Sequence, residues 1–69
     1  MIRSNFSALL GQNKIRISDV ARDTKISRTT LTALYYDKGD AVSFRVLDIL
    51  CNYFKCGVGD ILAFEEVQQ

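Results

Sequence analysis

Residues 17–36 carry an apolar spacing that constrains the fold more than any other part of the chain. The spacing fits two short helices joined by a tight turn, with one apolar face on each helix and one apolar residue in the turn: Val20 and Ala21, then Ile26, then Leu31 and Leu34. The small side chain of Ala21 allows a close crossing, because a larger one would hold the backbones apart. The segment therefore predicts two crossed helices, at about 17–24 and 27–36.

The outward face of the second of these helices bears short polar side chains and one guanidinium: Ser27, Arg28, Thr29, Thr32, Ala33 and Tyr36. Side chains of this size and chemistry can enter the major groove of DNA, where arginine can bond both acceptors of a guanine. Arg28 has no acidic residue one turn away, which favours a DNA contact over a surface ion pair. Tyr35 and Tyr36 point about 100° apart, so we expect one to pack and the other to face the DNA. The pattern predicts a helix-turn-helix module.

The flanking segments predict three further helices. The first combines apolar residues at helical spacing and ends at Gly11 to Asn13: Ile2, Phe6, Leu9 and Leu10. The fourth, at about 43–55, opens at the N-cap Ser43 and has this core face: Phe44, Leu47, Leu50, Cys51 and Phe54. A short fifth helix follows the break at Gly57 and contains Val58, Ile61 and Leu62.

The expected architecture is all-α, a compact bundle of five short helices. No alternating run and no Asn-Gly hairpin occurs, so a sheet is not expected. A chain of 69 residues allows a single domain. We assign it to residues 1–69, with a core at about 2–62 and a short tail at 63–69.

A second apolar stripe on the fourth helix lies beside its core face and contains Val46, Ile49 and Tyr53. Two apolar stripes on one helix indicate that something covers the second one. The candidates are a second subunit, a partner protein, or the tail through Phe64 and Val67. We predict a homodimer contact at this stripe, since twofold assemblies are the commonest kind.

Charge is distributed unevenly along the chain. Residues 1–38 hold seven basic and three acidic groups, net +4, whereas residues 39–69 hold two basic and five acidic groups, net −3. The positive half contains the predicted helix pair, which favours a nucleic-acid partner over an ordinary scatter of solvated charge.

Composition argues against several other classes of protein. No apolar run approaches the roughly 20 residues that span a bilayer, and no signal peptide is evident, so we expect a cytoplasmic protein. Cys51 and Cys56 lack further ligands in a chain without histidine, and we expect reduced thiols packed as small apolar residues. With no phosphate loop, nucleophile elbow or metal-ligand spacing, we expect no enzyme activity, metal, cofactor or small-molecule ligand.

The chain resembles the Cro and phage-repressor (Xre-type) helix-turn-helix family, which has a lambda-repressor-like fold. The resemblance covers about residues 2–62 and rests on these residues: Ile15, Val20-Ala21, Ile26-Ser27-Arg28-Thr29-Thr30-Leu31, Leu34, Ser43-Phe44, Leu47, Leu50-Cys51, Phe54, Val58 and Asp60-Ile61-Leu62. It implies binding to operator DNA, usually as a dimer, with the third helix in the major groove. By position, Arg28 and Thr29 would touch base edges. Thr32 and Ala33 would face the groove one turn on, with Ala33 near a thymine methyl, and Tyr36 would meet the phosphate backbone.

Three positions depart from the family pattern. Lys25 stands in the turn where glycine is favoured, so this residue must be left-handed or the turn must differ. Ile17 replaces a frequent glutamine, and Arg16 replaces the usual threonine or serine cap but could reach a phosphate, as could Lys38.

We predict a sequence-specific DNA-binding regulator, a repressor, acting on double-stranded DNA. The alternative is a protein-binding module, such as an antitoxin-like partner, that keeps the fold and uses the stripe at Val46, Ile49 and Tyr53.

Overall fold

The computed structural model describes residues 1–66, in which five helices lie between two short strands. The elements in chain order are β1 Ile2–Ser4, α1 Phe6–Asn13, α2 Ile17–Thr24, α3 Arg28–Tyr35, α4 Phe44–Phe54, α5 Val58–Ile61 and β2 Leu62–Phe64. The predicted succession of five helices is confirmed. The expectation of an all-α chain without a sheet is wrong, because β1 and β2 pair antiparallel with Ile2 opposite Phe64.

The sheet joins the two ends of the described chain. The Asn5 N–H donates to the Ile61 carbonyl at 2.6 Å, and the Glu65 N–H donates to the Met1 carbonyl at 2.8 Å. Ile2 therefore lies in a strand, 60% exposed, and does not begin the stripe of the first helix. Strands of three residues contain too few positions to show an alternating pattern, which is why the sequence did not reveal them.

The core lies between the helices and is built from ten apolar residues: Phe6, Leu9, Leu10, Val20, Ile26, Leu31, Val46, Leu47, Leu50 and Ile61. No polar or charged residue of the described chain is buried among them. Val20 of α2 and Leu31 of α3 have no exposed surface, and Ile26 closes the core at the turn between the two helices. The apolar spacing of residues 17–36 is thus confirmed as a core pattern.

Local signals set the helix starts. The Ser27 hydroxyl accepts from the Thr30 N–H at 3.2 Å, and the Ser43 hydroxyl accepts from the Val46 N–H at 3.1 Å. Both predicted N-caps are therefore confirmed. Lys25, at the end of α2, takes the left-handed conformation with φ 64°.

The core face of α4 differs from the predicted one. Val46 is only 9% exposed and belongs to the core, whereas Phe44 is 89% exposed. Ile49 and Tyr53 are half-buried against the core, and the Tyr53 hydroxyl donates to the Asp23 carboxylate of α2 at 2.6 Å. The predicted second stripe is therefore divided, with Val46 in the core and with Ile49 and Tyr53 partly exposed. Phe44 is exposed because it is the first residue of α4, at the edge of the packed face.

The tail was one candidate cover for this stripe. Phe64 lies in β2 and is 72% exposed. Val67 lies outside the described residues.

Cys51 and Cys56 are free, half-buried thiols at the end of α4. Burial raises the pKa of the Cys56 thiol, and the neighbouring Cys51 raises it further. The described residues contain no cluster of three or more potential metal ligands. Within the same part of the chain, no helix has the length and apolar character needed to cross a membrane.

Candidate nucleic-acid interface

α3 carries the predicted DNA-contacting residues outside the core: Thr29, Ala33 and Tyr36 lie roughly opposite the buried Leu31, whereas Arg28 is exposed at the first turn of the helix. Arg28, Thr29 and Thr32 are exposed, and Ala33 is half-exposed. These four positions and Tyr36 form the outward face of α3. Leu31 fixes α3 to the core, so the residues of the outward face do not need to pack against that core.

Ser27 and the two tyrosines define the ends of this face. The exposed Ser27 caps the helix, and its hydroxyl also donates to the Thr30 hydroxyl at 2.8 Å. Tyr35 packs against the core while Tyr36 is 61% exposed, and their rings meet edge-on with centroids 4.9 Å apart. The expectation that one tyrosine packs and the other points outward is confirmed, and the packed ring supports the exposed one.

On one side of α3 the structure brings the two predicted arginines together. Arg16 and Arg28, 12 residues apart in sequence, line one surface depression with Ser18 and Tyr36. This depression lies at the start of α2. Part of that helix start is already occupied, because the Asp19 carboxylate accepts from the Arg16 N–H at 3.0 Å. The Arg16 side chain itself remains exposed.

The other side of α3 borders a groove of about 450 Å³ that contains three further predicted residues. Thr29, Ala33 and Lys38 line this groove, whose opposite wall comes from the sheet and the loop at 37–42. Thr32 lies between the two sides, and neither depression includes it among its walls. Two groups of predicted site residues therefore lie beside α3: one consists of Arg16, Arg28 and Tyr36, and the other of Thr29, Ala33 and Lys38.

Most basic side chains of residues 1–38 form no ion pair with the described residues. Arg3 pairs with Asp37 and Glu65, and Arg22 pairs with Asp19 and Asp23. The other five basic residues of this half are exposed and form no salt bridge within residues 1–66: Lys14, Arg16, Lys25, Arg28 and Lys38. The unpaired positive charge thus includes the predicted contacts on both sides of α3.

Asp37, at the end of α3, is a residue that the sequence analysis missed. Its carboxylate accepts from the Ser4 N–H at 3.1 Å and pairs with Arg3 at 3.7 Å. In the sequence, Asp-Lys-Gly-Asp at 37–40 indicates only a turn. Its partners lie in β1, which the sequence did not predict, so no local signal could have identified this contact.

Comparison with known families identifies the fold. A sequence model of the Cro/C1-type HTH DNA-binding domain matches residues 5–66, a range that includes all five helices. No curated protein and no solved structure matches the chain significantly. The matched range includes α2 and α3 with their buried residues Val20 and Leu31. The chain is therefore a member of the Cro/C1-type helix-turn-helix DNA-binding domain family.

Proposed function

We propose that this protein is a sequence-specific transcriptional regulator, a repressor, that places α3 in the major groove of operator DNA. The observation that carries the proposal is the outward face of α3, which has exposed polar side chains, one unpaired guanidinium and no acidic residue. A groove-binding helix needs such a face, because base edges offer hydrogen-bonding groups while nearby phosphates repel carboxylates.

The residues would divide the work between specificity and affinity. Arg28 and Thr29 would contact base edges, Thr32 would contact bases or phosphates, and Ala33 would contact a thymine methyl. The flanking side chains, Arg16, Tyr36 and Lys38, would bind the phosphate backbone on either side of the helix. Phosphate contacts supply sequence-independent affinity, so binding would need no cofactor and would weaken steeply as salt rises.

The proposal extends to assembly and location. A homodimer would place two copies of α3 on the two halves of a palindromic operator. Its contact surface would involve residues other than Val46, since that side chain is in the core of the monomer. Binding to operator DNA would take place in the cytoplasm.

Selection of duplexes from a random-sequence pool tests the proposal and returns the half-site and its symmetry. Arg28→Ala should then relax the base preference at one position, where a bidentate arginine is worth about 1–3 kcal/mol of discrimination. Lys38→Ala is the matched control, because it removes a charge from the same surface and should weaken all sequences alike. Equal losses on all sequences for Arg28→Ala would contradict its base-contacting role.

The rival interpretation is a protein-binding module that uses the stripe at Val46, Ile49 and Tyr53. Val46 lies in the core of the monomer, while Ile49 and Tyr53 are half-buried, so a partner would reach mainly these two side chains. The low net charge of +1 still favours this interpretation. A gel shift with random duplex DNA at low salt separates the two, since no shift at high micromolar protein would favour the module.

A further inference from the structure

α3 is followed by a left-handed residue, Asp37, just as α1, α2 and α4 end on the left-handed residues Lys14, Lys25 and Lys55. The Lys38 N–H donates to the Ala33 carbonyl at 2.8 Å, and the Asp37 N–H donates to the Leu34 carbonyl at 3.3 Å. This pair of bonds requires a left-handed residue just past the helix, a place that glycine usually takes. Asp37 occupies it with φ 60°, although L side chains rarely adopt that conformation.

The side chain of Asp37 connects this helix end to β1. One carboxylate oxygen accepts from the Ser4 N–H at 3.1 Å, and the other lies 3.7 Å from the Arg3 guanidinium. Arg3 also pairs, at 3.3 Å, with Glu65, which follows β2. These are contacts between the segment 36–41, exposed throughout, and the sheet.

We propose that Asp37 is a positioning residue for DNA binding. Through Ser4 and Arg3 it clamps the end of α3 to the sheet, and this clamp sets where Tyr36 and Lys38 meet the phosphate backbone. The inference rests on the proposed function. Its physical basis is the two contacts from the Asp37 carboxylate to β1, which are present although a carboxylate close to DNA would repel the phosphates.

Two explanations for Asp37 predict opposite changes in affinity. If its charge acted only through repulsion of the phosphates, removal of the carboxylate would strengthen DNA binding. If the clamp matters, removal of the Asp37 carboxylate frees the segment around Lys38. DNA binding then weakens even though the surface has lost a negative charge. The direction of the change therefore distinguishes positioning from simple electrostatics.

The experiment compares three variants on the duplex that the wild-type protein selects from a random pool. Asp37→Gly should keep the thermal midpoint within about 3 °C, because glycine suits φ 60°. It should nevertheless bind about tenfold more weakly. The slope of log affinity against log salt should fall by about 0.9, the value of one phosphate contact. Asp37→Asn, which keeps an oxygen acceptor for Ser4, should give an intermediate loss.

Asp40→Asn is the matched control. Asp40 lines the same groove, is exposed, and its side chain has no hydrogen bond or ion pair to the described residues. Its substitution should leave affinity unchanged or raise it. Unchanged or tighter binding by Asp37→Gly would overturn the proposal. If Asp37→Gly loses more stability than expected, Asp37→Asn alone decides the question, because asparagine tolerates the left-handed conformation and the substitution also removes the carboxylate charge. Weaker DNA binding by Asp37→Asn would support positioning, and unchanged or tighter binding would overturn it.

A readout without DNA separates the clamp from the proposed function. Hydrogen exchange of the Lys38 amide, which bonds to Ala33, should become faster in Asp37→Gly than in the wild-type protein. If the wild-type protein selects no duplex, the proposed function and the DNA-positioning role both fail. Unchanged exchange at Lys38 would overturn the clamp itself, whatever the DNA result.

Discussion

Lys25→Gly measures the energetic cost of the turn between α2 and α3. Lys25 has φ 64° and ψ 15°, its N–H donates to the Ala21 carbonyl at 3.0 Å, and its exposed side chain forms no ion pair with the described residues. Glycine retains the backbone bond and removes the Cβ that makes this conformation unfavourable. The substitution therefore changes the backbone strain and very little else in the folded state.

The expected gain follows from two opposing effects. A left-handed L residue costs about 1–2 kcal/mol relative to glycine. Glycine also adds freedom to the unfolded chain, which opposes folding by about 0.4–1 kcal/mol. The net increase in the free energy of unfolding is about 0.5–1 kcal/mol. In a domain of this length, it corresponds to a rise in the thermal midpoint of about 2–8 °C.

Thermal and urea unfolding, followed by circular dichroism, would measure the change. Lys25→Ala is the matched control, because it removes the same charge but keeps the Cβ and hence the strain. The urea midpoint of Lys25→Gly should rise without a change in the denaturant slope. If Lys25→Gly is no more stable than Lys25→Ala, the strain argument is refuted.

Two further predictions concern the core and a surface contact. Leu50→Ala should lower the free energy of unfolding by about 2–5 kcal/mol, since Leu50 is fully buried, whereas Phe44→Ala should change it by less than about 0.5 kcal/mol in urea unfolding. Comparable losses would contradict the observed face of α4. Hydrogen bonds from Tyr53 and Arg22 lower the pKa of the Asp23 carboxyl, so their stabilisation is present above the usual carboxyl pKa and is lost as pH falls through the lowered value. Tyr53→Phe should therefore reduce the thermal midpoint at pH 7, with the two proteins converging in acid. A constant difference down to pH 2 would count against this linkage.

The helix-turn-helix was the most predictable part of the fold. Its helices, at 17–24 and 28–35, lie within one residue of the expected bounds. The apolar spacing of this segment has a single helical solution, and Ser27 marks the start of the second helix with a hydrogen-bonding cap. The same reasoning failed for α4, where Phe44 and Val46 both fit an apolar stripe. Spacing could not decide which of them the core would bury.

The candidate interface was predictable only in part. Thr29, Ala33 and Tyr36 could be chosen because the helical period places them away from Leu31, whereas Arg28 was chosen for its guanidinium at the start of the helix. Arg16 and Arg28 line the same depression only because of the way α2 crosses α3. The residue types alone do not specify that crossing. Which of these side chains contact DNA stays a prediction.

By itself, the sequence determined the five helices and the caps at Ser27 and Ser43, because these depend on neighbours within one or two turns of the chain. It left two possibilities at Lys25, and the structure shows the left-handed one. Only the tertiary structure decided the pairing of β1 with β2, the buried face of α4 and the clamp at Asp37. Ser4 and Asp37 are 33 residues apart, and Ile2 meets Phe64 across nearly the whole chain. Such contacts form only when the core brings distant segments together, and no local pattern encodes their partners.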